Sequence, residues 1–141
     1  MTAKGSRKKV DAIFGAGRLE AAKAHRMLAA QALTSLQDGQ WGNAVISNIV
    51  LSAIGYTDAL TAKFSGEINQ QDHLAAGKTL RNALGNMLPR EQENALRRIL
   101  DNKDSAHYGA KQYRRPEAQH LLDLLIAFGD WAEEIIKEHS R

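Results

Sequence analysis

Cysteine is absent from this sequence. Its absence excludes a disulfide framework, thiolate metal ligands and a cysteine nucleophile, and is compatible with a reducing cytosol. Only two prolines interrupt the chain, aromatic residues make up 6%, and apolar residues recur at helical rather than alternating spacing, so strands have little support. No uninterrupted apolar run approaches the ~20 residues of a membrane span, and the N-terminal "MTAKGSRKKVDAIFG" lacks the apolar stretch of a signal peptide. The expectation is a cytoplasmic protein without a membrane partner. Several catalytic motifs are missing too: a Gly-rich phosphate loop ending in Lys-Ser or Lys-Thr, a dinucleotide fingerprint, and a His-Glu-x-x-His zinc pair. The five histidines are scattered, with no two at ligand spacing on one helix, so neither a metal nor a cofactor is expected.

What is present fits one domain of 141 residues, large enough to bury a core without metal or disulfide staples. The net charge of +3 is unevenly placed: Lys4, Arg7, Lys8 and Lys9 lie among the first ten residues with no acid beside them. The excess is a tail rather than a face. Such a tail can neutralise a few phosphates, or it can be a solvated terminus. The chain therefore divides into a basic, flexible segment over 1–15 and a single helical domain over 16–141.

The helical spacing predicts five segments. The first covers about 19–36, with Leu19, Ala22, Leu28, Leu33 and Leu36 on one side, and stops at "QDGQWG". The second, about 43–64, is apolar nearly all round, as central helices are. Its polar stripe, Asn48, Ser52, Gly55 and Asp58, steps by four, three and three residues and so shares one face, which either lines a cleft or meets water. A third helix runs over about 73–83, with a cap at Asn69 or Asp72. A fourth begins at Pro89 and continues to Gly109, and a fifth starts near Pro116 with apolar residues every three or four positions through Ile136. These predict an all-α, up-and-down bundle of four or five helices.

One cluster has chemical character. In an unbroken fourth helix Lys103 and His107 share a face one turn apart, Tyr108 adds a phenol, and Asp104 lies three residues before the imidazole. The cation and the ring suit a phosphate; equally, Lys and His in a last helical turn suit the negative end of the helix dipole.

The blocks "GYTDALTAKFSG", "QQDHLAAGKTL" and "RRILDNKDSAHYG", followed by "AQHLLDLLIAFGDWAEEI", resemble the HEPN superfamily of small helical domains, over about residues 19–136. The resemblance implies a helical bundle that pairs as a homodimer. It implies either a metal-independent endoribonuclease, often a toxin or defence component, or a non-catalytic module that binds RNA or nucleotide or partners a nucleotidyltransferase. The family's signature is an Arg, four to six residues of any kind, and a His. Counting back from His107, those places hold Asn102, Asp101 and Leu100, none of them basic. At ~100° per residue Arg98 falls opposite His107, whereas Lys103 is only ~40° away. On this reading His107 is the acid/base and Lys103 the phosphate cation, with Asn102, Asp104 and Tyr108 supporting. Arg114 and Arg115 supply guanidinium from a loop or a second protomer. A further reading gathers Asn48, Ser52, Asp58, His73 and Lys103 in a polar, nucleotide-binding cleft.

Overall fold

The computed structural model describes residues 7–70, 75–109 and 111–140. Helix α1 spans Ala12–Ser35 and begins where the Asp11 carboxylate accepts the Phe14 N–H at 2.9 Å, satisfying one of the free amides of the first turn. It starts seven residues earlier than the apolar spacing predicts, and Gly15 is already buried within it. Before it, strand β1 (Arg7–Lys9) pairs antiparallel with β2 (Glu67–Asn69) in the register Arg7 to Asn69, Lys8 to Ile68 and Lys9 to Glu67. Part of the segment expected to be a flexible tail is thus strand and helix. The pattern of three consecutive basic residues gave no hint of a strand, because its partner lies some sixty residues away.

Helix α2, Asn43–Ser65, is the centre of the bundle, with every residue from Ser52 to Ala62 buried. Its length and composition would suffice to cross a membrane, but 78% of its most apolar window is packed inside the protein. It ends at Gly66, whose φ of +70° closes the last turn and donates back to the Ala62 carbonyl. Helix α3 (Ala76–Leu84) leads through a 3-10 turn, Gly85–Met87, to α4 (Arg90–Leu100), which opens after Pro89 with Glu91 and Glu93 in its first turn. His73 and Asp72 lie outside the described residues. Asn69, the other cap candidate, sits in β2 and donates instead to the Thr79 hydroxyl at 2.9 Å.

The expected long fourth helix is broken. After Leu100 a turn at Asp101–Asn102 intervenes, and the one-turn helix α5 (Lys103–His107) follows. Asn102 is the reason: its Nδ2 bonds back to the Arg98 carbonyl at 2.7 Å, while its Oδ1 accepts the Tyr113 hydroxyl at 2.6 Å. Helix α6, Arg115–Glu138, closes the bundle along α2 and α4. Among the described residues the architecture is an all-α bundle with five principal helices and one small two-stranded ladder. Ala22, Ala29 and Leu33 carry the buried side of α1, whereas Leu28, expected there, is 48% exposed.

Candidate functional site

The polar stripe of α2 faces neither water nor a cleft; it is fastened to α1. Ser52 donates to the Ala22 carbonyl at 2.7 Å, Asn48 Oδ1 lies 3.0 Å from His25 Nδ1, and Asp58 accepts from Arg18 Nε at 3.0 Å. At Gly55 the backbones come so close that an added Cβ would stand 3.0 Å from the Ala22 Cβ and 3.1 Å from its amide nitrogen. Burial pushes the Asp58 carboxyl up to about 6, against the pull of the Arg18 guanidinium. Asn48, Ser52 and Asp58 are therefore engaged within the bundle and do not gather with Lys103 around a ligand cleft. A second polar network joins three helices: Tyr56 donates to Glu133 at 2.5 Å, and Arg26 reaches both the Tyr56 hydroxyl and the Asp130 carboxylate. Burial and the Glu133 bond raise the Tyr56 phenol to about 12, which leaves it protonated and unsuited to proton transfer near neutrality.

The α5 cluster is on the surface. His107 is exposed and its Nδ1–H donates to the Lys103 carbonyl at 2.9 Å, so the ring is held with Nε2 free. Lys103 Nζ is 3.9 Å from Asp104, Tyr108 is 79% exposed, and Asn102 is committed to Tyr113 and Arg98. Because the helix breaks before Lys103, the angular relation of His107 to Arg98 on a continuous helix no longer applies.

Beside that cluster lies an open groove of about 380 Å3 between α4, the segment after α5, and α6, lined by Arg98, Asn102, Lys111, Tyr113, Glu117 and His120 among others. Arg98 Nη2 is 2.9 Å from His120 Nε2, and both residues are exposed. A guanidinium only donates, so Nε2 is the acceptor and the imidazole proton sits on Nδ1. Lys111 pairs with Glu117 at 2.9 Å and lies 4.8 Å from the centroid of the Tyr113 ring. That carboxylate is held below its ordinary range by the Arg114 amide and by Lys111, while its bond raises Lys111. With His120 neutral, the two cations and one carboxylate leave the groove one positive charge.

Arg114 and Arg115 start α6 at the groove's edge and are used differently. Arg114 caps the helix, its amide donating to Glu117 at 3.0 Å, and its guanidinium reaches Gln112. Arg115 turns away, donating to the Leu33 carbonyl at 2.9 Å and to that of Leu36, so it terminates α1. Arg98 and His120 were not singled out from the sequence. A signal exists in the sequence: Arg115 and Arg114 precede His120 with four and five intervening residues, the signature spacing that His107 lacks. Among the described residues no three His, Asp or Glu side chains gather to hold a metal ion. Comparison with known protein families, with characterised proteins and with solved structures finds no match for this chain.

Proposed function

We propose that this protein is a HEPN-type, metal-independent endoribonuclease whose working groups are Arg98 and His120 rather than Lys103 and His107. The observation that carries the reading is the 2.9 Å approach of a guanidinium to an unprotonated imidazole nitrogen on an open groove. In the proposed reaction His120 Nε2 takes the proton of a ribose 2′-hydroxyl as the O2′–P bond forms. Arg98 stabilises the negative charge building on the phosphoryl oxygens; its guanidinium passes from Nε2 to the incoming phosphate, which frees the single lone pair of that nitrogen for the proton. The P–O5′ bond then breaks, the leaving oxygen is protonated by the imidazolium or by water, and the products carry a 2′,3′-cyclic phosphate and a 5′-hydroxyl. The arginine spacing ahead of His120 supports the family resemblance, and the resemblance supplies the RNA.

One observation favours a non-catalytic RNA-binding module instead. Arg115, which stands at the signature distance from His120, turns its guanidinium onto the α1 carbonyls of Leu33 and Leu36 and does not line the groove. Incubation of the parent, His120→Ala and His107→Ala proteins with mixed RNA in chelator separates the readings. Cleavage by the parent and by His107→Ala, lost in His120→Ala, supports the enzyme. RNA binding that depends on Arg98 without any cleavage supports the module, and cutting by all three proteins marks a contaminant.

Self-association as a homodimer belongs to the same proposal. Its support is the outer face of α1, where Ile13 is 82%, Met27 59% and Leu28 48% exposed, with the small residues Ala16, Gly17 and Ala24 also at the surface. Glu20 and Lys23 share that helix and already sit 3.6 Å apart. An antiparallel pairing of α1 with its copy about an axis between Ala21 and Ala22 would set each Glu20 against the partner's lysine, so the face can be complementary to itself.

A further inference from the structure

At the same end of the bundle lies an aromatic side chain that the proposed reaction does not use. Trp41 is 52% exposed, in a protein whose other tryptophan, Trp131, packs 5.8 Å from the Phe128 ring. Its backbone is firmly mounted. The adjacent Gly42 N–H donates to the Tyr113 carbonyl at 2.7 Å, and Asn43 both donates to the Lys111 carbonyl at 2.7 Å and accepts the Tyr113 N–H at 3.1 Å. On the other side, Arg115 holds the carbonyls of Leu33 and Leu36. Gly42 itself is buried, and a Cβ there would stand 3.4 Å from the Ala118 Cβ, so the loop sits tightly on the start of α6. The segment that anchors Trp41 is thus the one that carries Lys111 and Tyr113 into the groove.

We propose that Trp41 is a stacking platform for an unpaired base of single-stranded RNA whose phosphates run along Arg98, Lys111 and Arg114. The inference rests on the RNA reading of the groove and deepens it by naming the substrate class. An exposed indole on a segment bonded to the one that bears Lys111 offers a π-face to any base, while the groove offers charge to the backbone, a combination that recognises single strands. A base inside a duplex is already stacked on its neighbours and cannot use it.

The test is fluorescence anisotropy with a short labelled single strand and its duplex, both fully 2′-O-methylated so that no cleavage occurs, in chelator at fixed salt. The parent is expected to prefer the single strand. Trp41→Ala should weaken it roughly tenfold, the order of loss expected when one stacked aromatic is removed, and leave duplex binding unchanged. Trp41→Phe should recover most of the affinity, and in a Trp131→Phe background the remaining indole fluorescence should be quenched by the single strand. Unchanged single-strand affinity in Trp41→Ala overturns the inference, as does an equal loss for both ligands. A lost protein–protein association with RNA affinity intact assigns the indole to a protein contact and also overturns it. If the parent binds neither ligand, or Arg98→Ala has no effect, the groove reading has failed and the platform falls with it.

Discussion

The guanidinium of Arg98 on α4 reaches the Nε2 of His120 on α6, 22 residues further along the chain, at 2.9 Å. This contact holds the histidine with its acceptor nitrogen turned to a cation, where a phosphate would also be drawn. Substituting Arg98 by Lys keeps a positive charge but replaces a planar fork by a point donor. RNA cleavage by Arg98→Lys is expected to fall by about 10- to 100-fold, and by more in Arg98→Ala, with chemical-denaturation midpoints close to the parent because both side chains are exposed. Initial rates on a fluorogenic RNA read the first quantity. A lysine variant as fast as the parent would remove Arg98 from the mechanism.

Two glycines in helices should respond oppositely to alanine. At Gly55 the added Cβ would meet α1 backbone at 3.1 Å, and backbone cannot step aside as a side-chain tip can. Overpacking of this kind costs about 1–3 kcal/mol, against a helix-propensity gain of about 1 kcal/mol, so net destabilisation is expected. Gly77 in α3 has nothing within 4 Å of its virtual Cβ, and Gly77→Ala should stabilise by up to about 1 kcal/mol. Urea denaturation of the two variants checks the pair. Equal shifts would mean that the α1–α2 approach is looser than described.

Asp58 gives stability a definite pH dependence. Burial raises its carboxyl from 3.8 to about 6, so the folded protein holds this proton more tightly than the unfolded chain. The sign follows: the contribution is fully present below about pH 4 and is lost as pH rises through about 6. At ~1.4 kcal/mol per pH unit the displacement corresponds to ~3 kcal/mol at most. Relative to Asp58→Asn, the parent should therefore gain stability as pH falls from 7 to about 4. A relative loss over that window would show that the Arg18 ion pair, 3.0 Å away, outweighs burial.

These three sites differ in how far they could be read from the chain. The bundle was legible because α2 and α6 repeat apolar residues every three or four positions, and that period alone specifies helices with a buried side. The stripe at Asn48, Ser52, Gly55 and Asp58 was legible as a face but not as an interface. Its complements, Arg18, Ala22 and His25, lie on α1 at the same spacing, and matching the two sets would have joined the helices. The break after Leu100 was invisible locally, since the Asn102 side chain is fixed in part by the Tyr113 hydroxyl from beyond the helix. The groove was illegible for the same reason: its two main groups come from separate helices, and no local spacing joins them.

The outer face of α1 bears on the last prediction. Met27 is 59% exposed and Leu28 48%, on a helix whose other side is fully engaged with α2. If a second copy covers this face, Met27→Glu places a carboxylate in each half of the interface near the Glu20 pair and should shift the protein from dimer to monomer at micromolar concentration. The single-chain fold should survive, because Met27 is not among the buried residues of α1. Size-exclusion chromatography with light scattering gives the mass directly, and circular dichroism checks the helices. A parent that is monomeric at every concentration removes the homodimer. A parent dimer that Met27→Glu leaves intact moves the contact to another surface, since two buried glutamates cannot be desolvated without a large cost.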